Sequence, residues 1–375
     1  MLVLAFFDTG FIGGERWRRL REARPASRQH FALNSPSTLG HYDLAKPEQT
    51  APVVGMARQA GIDGFVIDIR FLGGAYRHDG ALLAPFCDPS FGLAFRWRNG
   101  EEPVWADASA ALEQVERINA LVAALKSVPA VTLGGRPVLI VESPKHLAAP
   151  AAVVTALRRA AEAAGLPGLY LIANRAEDKG RFLSAGFDSL VDPSPEDWHS
   201  CNPSNRTGGL DYLEVLAGLK DSADYLDRFF PYLPFTVARM LNRETRGKVL
   251  PRVFASFHNW LRHPEGGATH LINHGNRPHD THLFGLFVEN AMLFAHAHFP
   301  ADERAIFLQS WNGWLDGSQI EPSLLDGDLV YNAARDAIDR GRYMIRTRGD
   351  TPSDISDALK ERIALLCEAA RGTLA

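Results

Sequence analysis

The sequence predicts an α/β fold, a single (β/α)8 barrel of the TIM type with long loops at the carboxyl ends of its strands. Three observations predict it. Eight short apolar runs recur along the 375 residues, each bounded by turn residues. Segments of helical period lie between them, and alternating strands and helices call for a parallel sheet. No linker, repeat array or low-complexity tract divides the chain, so one large core is expected. A doubly wound open sheet satisfies the same alternation, because strand order does not show in a sequence. Eight strands favour closure into a barrel.

The runs are Leu2–Phe7, Gly64–Ile69, Phe91–Phe95, Pro137–Val141, Gly168–Ala173, Phe187–Val191, Arg252–Phe257 and Ala305–Ser310. They are too short for helices and rich in Val, Ile, Leu and Phe, as strands buried on both faces are. Helical period marks Pro47–Ala60, Ser109–Val128, Pro150–Ala164, Leu283–Ala297 and Asp328–Arg340. In the second of these, Leu112, Val115, Ile118, Leu121, Val122 and Leu125 share one face. Pro150 suits a first helical position, where its missing N–H costs nothing. Gly61 and Gly165 follow two of the helices and can take the left-handed turn that stops them. Asp192–Gly209 and His258–His282 read as long irregular loops, which in a compact domain usually carry function. Residues 1–345 are expected to form the barrel, and 346–375, with a helix from Pro352 to Arg371, a C-terminal extension packed on it.

Composition narrows the function. A net charge of −4 lacks the basic excess of a nucleic-acid binder. Arg16, Arg18, Arg19, Arg21 and Arg24 read as a solvated helix face. Cys87, Cys201 and Cys367 are odd in number and far apart, which argues against a disulfide framework and fits a reducing compartment. Met1–Asp8 lacks the basic start of a secretory signal, and no apolar run reaches the ~18 residues of a membrane span. A cytoplasmic protein is expected.

In such a barrel the chemistry sits just beyond the carboxyl ends of the strands. The runs close on Asp8; on Asp68 and Arg70; on Arg96, Trp97 and Arg98; on Glu142; on Asn174 and Arg175; and on Asp192. The last two lead into His258, Asn259 and Arg262, and into Trp311, Asn312 and Asp316. Carboxylates, amides and indoles at one rim suit a sugar, which offers hydroxyls to polar groups and flat C–H faces to rings. Asp68 interrupts an apolar strand and needs a partner, for which Arg70 or Arg96 is placed. Glu142 precedes Ser143-Pro144 and should point into the mouth. Trp97, Trp105 and Trp314 can stack on a sugar or pack in the core, whereas Trp311 reads as core. Eight histidines crowd 258–298, but His296-x-His298 falls in a helical pattern, where the two side chains diverge. No metal is therefore expected, nor a cofactor; His258 suits sugar hydrogen bonding or proton transfer.

The most specific segment is Trp311-Asn312-Gly313-Trp314-Leu315-Asp316-Gly317, followed by Glu321-Pro322. It resembles the Trp-Asn-Glu-Trp-x-Glu-Gly and Glu-Pro elements of the WbsX-like proteins and of glycoside hydrolase family 99. Leu39-Gly40-His41-Tyr42-Asp43-Leu44, Ala60-Gly61-Ile62-Asp63-Gly64-Phe65, Gly135-Arg136-Pro137-Val138-Leu139 and Gly165-Leu166-Pro167-Gly168-Leu169-Tyr170 resemble further WbsX elements in the right order. The resemblance implies a (β/α)8 fold and action on glycans. In the hydrolases the first motif Glu assists the sugar's own 2-hydroxyl as a base, and the second is the acid/base at the leaving oxygen. Here the first position is Gly313, which cannot take a proton, and the second is Asp316, one methylene shorter. A second carboxylate is needed for glycoside hydrolysis.

The expected catalytic groups are Asp316, Glu142 and Asp68. The expected substrate contacts are Trp97, Arg70, Asn174, His258, Asn259, Arg262, Asn312, Trp314 and Glu321, the last as an anchor of the motif loop. The expected function is action on the glycosidic bonds of a bacterial polysaccharide or oligosaccharide, by hydrolysis or transfer. The alternatives are a glycan-binding relative without catalysis, and a barrel enzyme of different chemistry.

Overall fold

The computed structural model describes residues 1–22, 35–72, 75–77, 90–102, 105, 111–174, 179–191, 229–231, 248–258, 271–273, 281–347 and 361. Nine parallel strands form its main sheet: β1 (Leu2–Phe7), β2 (Gly64–Leu72), β3 (Gly92–Trp97), β4 (Arg136–Val141), β5 (Tyr170–Asn174), β6 (Ser189–Val191), β7 (Val249–Leu250), β8 (Arg252–Phe254) and β9 (Ala305–Gln309). The order is β7-β6-β5-β4-β3-β2-β1-β9-β8, and every step along it is parallel. Short antiparallel strands, Ala75–Arg77 and Thr132–Leu133, flank β2 and β4.

The two ends of that path are one piece of chain. Only Pro251 separates β7, which pairs with β6, from β8, which pairs with β9. Proline has no N–H to give a ladder. Its carbonyl is used, accepting from Phe307 N at 2.9 Å. The nine strands therefore occupy eight positions around a barrel, as the eight apolar runs predict. One run is shorter than expected: β8 stops at Phe254, and Phe257–His258 pairs instead with Leu271–Asn273 in a separate three-stranded sheet. The chain turns between them, where Ser256 Oγ donates to the Gly317 carbonyl in the motif loop.

The helices are α1 (Glu15–Glu22), α2 (Pro47–Gln59), α3 (Ala111–Lys126), α4 (Pro150–Ala163), α5 (Lys179–Ser184), α6 (Thr281–His298) and α7 (Leu329–Thr347). Pro47 and Pro150 open their helices. Gly61 and Gly165, at φ of 80° and 82°, lie just past the ends of α2 and α4. Residues on the other face of the strands pack on one another and on the loops beside them: Phe65 touches Phe7, Phe91 and Trp311. The extension expected from Pro352 to Arg371 lies almost wholly outside the described residues, as do the loop Asp192–Gly209 and most of His258–His282. No described helix is long and apolar enough to cross a membrane.

Candidate active site

Residues in register on neighbouring strands point the same way, and successive residues alternate. Phe6 on β1 fixes which way is inward. The guanidinium carbon of Arg96, on β3, lies 5.0 Å from the Phe6 ring centre, and that of Arg252, on β8, lies 4.4 Å from it. Those strands stand two places from β1 on opposite sides, and only the lumen brings both to one ring. Register carries the inward set onward. Asp68 is level with Arg96, Arg96 with Ile140, and Phe254 with Gln309. Arg252 reaches across to β5, donating from Nη2 to Asn174 Oδ1 at 2.6 Å.

The upper lumen is therefore polar. Arg96 grips Asp68 with two hydrogen bonds, Nε to Oδ1 at 2.6 Å and Nη2 to Oδ2 at 2.9 Å. Arg98 adds a third, from Nη1 to Oδ2 at 3.0 Å. The same Arg98 presents Nε to Glu142 Oε2 at 2.9 Å, so one cation joins the two carboxylates. Burial works against ionisation of Asp68, but Arg96 and Arg98 outweigh it and hold its carboxyl below the ordinary range. Asp68 is thus an ionised acceptor at neutral pH and cannot supply a proton there. Arg70, two residues beyond Asp68 and on the same side, is half-buried at the rim.

The motif loop follows β9. Asn312 clamps the end of β1, accepting from Asp8 N at 2.7 Å and donating to Asp8 O at 2.9 Å. Asp8 itself is bonded to Arg16 and to Gly10 N. Asp316 accepts from Ser318 N at 3.2 Å and from Ser318 Oγ at 2.5 Å. A side chain at Gly313 would begin in occupied space: its Cβ would fall 2.7 Å from Asp316 Oδ1, and closer still to Ser318 Oγ and Ser310 Oγ. The place of the first motif Glu is filled, not merely vacated. Behind the loop, Tyr42 Oη donates to Glu321 Oε2 at 2.9 Å, and Trp314 Nε1 lies 3.4 Å from Tyr42 Oη. Burial pushes the Glu321 carboxyl up to about 8, against the hydrogen bonds from Tyr42 and Trp314. Glu321 is therefore mostly a neutral acid at pH 7, buried behind the mouth.

Several expected sugar contacts are enclosed. Trp97 is level with Ile69, one residue out of phase with the inward set, and is fully buried. Its Nε1 donates to Glu102 Oε1 at 2.9 Å, while Trp105 Nε1 takes the other oxygen at 2.6 Å. Trp97 and Trp105 are both buried and pack edge to face, with ring centres 4.6 Å apart. Trp314, Asn312 and Asn174 are also buried, so Trp314 and Asn312 serve to hold the loop and Asn174 to hold Arg252. Asn259, Arg262, Arg175 and Asp192 lie outside the described residues, and only the backbone of His258 is described. His296 and His298 stand on α6, as the helical period implied. Sequence reasoning missed Arg252 and Gln309 as lumen residues. Alternation along each strand narrowed the choice, but the register that sets them in phase with Phe6 belongs to the fold.

A family model described as glycosyltransferase WbsX matches residues 6–75 and 95–333. The uncharacterized protein WxcX of Xanthomonas campestris pv. campestris is 23% identical over 350 residues, covering 90% of this chain and 47% of WxcX. The chain thus spans about half the length of the curated relatives it matches. Among solved structures, a glycoside hydrolase-like protein aligns with a TM-score of 0.55 at 17% identity, over 90% of this chain and 93% of that one. The GH99 endo-alpha-mannosidase from Bacteroides thetaiotaomicron aligns with a TM-score of 0.53 at 14% identity, over 92% of this chain and 99% of that one. Both share the barrel fold.

Proposed function

Because this chain belongs to the WbsX glycosyltransferase family, a family of carbohydrate-active proteins, we propose that its barrel mouth binds a bacterial polysaccharide or oligosaccharide and acts on the glycosidic bonds. One observation carries the reading: Asp68 and Glu142 face the same lumen, joined through Arg98. The motif carboxylate Asp316 follows β9 at the carboxyl end of the same barrel. Asp316 is the acid/base and Glu142 its partner. Asp68, held ionised, accepts hydrogen bonds from sugar hydroxyls, with Arg70 beside it. Residues 1–345 are taken as the functional unit.

Asp316→Asn tests this on a panel of bacterial surface oligosaccharides. Proton transfer by a placed side chain contributes about 10²–10⁴-fold, so turnover should fall by at least about a hundredfold while binding persists. Unchanged turnover would remove Asp316 from the chemistry. We further propose a cytoplasmic place in polysaccharide biosynthesis, supported by the family's description and the scattered cysteines; recovery of the protein only from the periplasm would overturn it.

A second reading, glycan binding without catalysis, is favoured by Gly313. The space of the first motif Glu is taken by Ser310, Ser318 and Asp316. Under that reading the wild type binds a saccharide of the panel and turns over none.

A further inference from the structure

We propose that Gln309 is a specificity residue at the floor of the lumen, its side-chain carbonyl reserved for a hydroxyl or amide N–H of the bound sugar. The inference rests on the saccharide reading above, but on a different observation. Gln309 is the last residue of β9, level with Phe254 on β8. On the other side, Ala5 is level with Leu308, which sets Gln309 beside Phe6. It therefore points inward with Phe6, whose ring is already faced by the guanidiniums of Arg96 and Arg252.

Gln309 is buried, and among the described residues its Oε1 has no hydrogen-bond partner. Such an atom is costly. A buried amide oxygen left unpaired loses its bonds to water and gains none, and folded proteins keep few of them. A leucine or methionine of similar volume would fill the same space without that cost. A glutamine is therefore disfavoured for stability where it stands. The loss is recovered only when something else supplies a donor. Gln309 directly precedes the loop that carries Ser310, Trp311 and Asp316. The chemical class required is a neutral donor, a sugar hydroxyl or the N–H of an acetamido group. A polar group that pairs only with the right ligand rejects an analogue lacking the donor more sharply than apolar contact does.

The test uses the full chain and methyl glycosides of the common bacterial hexoses, deoxyhexoses and N-acetylhexosamines, with binding followed by saturation-transfer NMR and stability by thermal unfolding. Gln309→Met should bind the best glycoside about tenfold more weakly, the loss expected for one hydrogen bond to a buried group. Its Tm should stay level or rise by about 1–3 °C. Gln309→Glu keeps an acceptor oxygen at the same reach and should retain affinity within about threefold, while also discriminating a deoxy analogue as the wild type does. Equal affinity in wild type and Gln309→Met overturns the inference and leaves the saccharide site standing. A fall of several degrees in Tm for Gln309→Met makes the residue structural and also overturns it. If the wild type binds none of the glycosides, the saccharide reading fails and Gln309 falls with it.

Discussion

Gly313 is the position where this chain departs furthest from the motif it resembles, and Gly313→Ala probes it with a single methyl group. The new Cβ would lie 2.7 Å from Asp316 Oδ1 and nearer to the hydroxyls of Ser310 and Ser318. Overpacking of this kind costs about 1–3 kcal/mol. Pushing Ser318 aside also weakens its hydrogen bond to the Asp316 carboxylate, which adds about 1–2 kcal/mol. The expected loss is about 2–5 kcal/mol. With about 2.1 cal/mol/K of unfolding entropy per residue, a chain of 375 residues loses about 1.3 °C of Tm per kcal/mol. Thermal unfolding should therefore show a drop of about 3–6 °C. Ser318→Ala removes the nearest obstacle, so the double variant should cost at least about 1 kcal/mol less than the sum of the single ones. A neutral Gly313→Ala, or strict additivity with Ser318→Ala, would refute the reasoning and reopen the slot to a catalytic side chain.

Glu321 gives a pH dependence. Its folded value of about 8 lies above the unfolded one of ~4.3, so between them the folded state holds a proton that the unfolded state lacks. Stability should fall as pH rises through that window, by up to ~1.4 kcal/mol per unit, and level off above about pH 8. Glu321→Gln should flatten this slope in Tm measured from pH 5 to 9; parallel profiles would contradict it. Asp68 runs the other way. Its lowered folded value adds stability above the unfolded value of ~3.9 that is lost as pH falls further. Asp68→Asn should lose that acid limb in urea titrations and cost roughly 1–3 kcal/mol at neutral pH, reduced by its 27% side-chain exposure. Trp97→Phe should lower Tm, because Glu102 loses one of its indole donors, and should leave saccharide affinity within about twofold. A tenfold loss of affinity at unchanged Tm would make Trp97 a sugar platform after all.

The barrel was legible because its strands are short, apolar and buried on both faces, and because Pro47, Pro150, Gly61 and Gly165 mark helix ends by their own backbone limits. Pro251 was not read as a break in a strand, since a ladder lost on one side does not alter an apolar pattern. Strand-end carboxylates were legible at Asp68, which an apolar strand cannot hold unpaired, and Arg96 proved to be one of its partners. The indoles misled. Whether a tryptophan at a strand end faces the mouth or the helices turns on a one-residue phase, and Trp97 lies one step out of phase with Arg96 and Arg98. The filling of the Gly313 slot could not be foreseen, because Ser318 reaches it only through the fold of the loop.

The most direct test of the account is a crystal structure of Asp316→Asn with the tightest-binding bacterial oligosaccharide of the panel. The sugar should lie in the mouth at the carboxyl ends of the strands, with hydroxyls within hydrogen-bond reach of Asp68 or Glu142. A sugar bound elsewhere on the molecule, with the Arg98 bridge untouched, would contradict it.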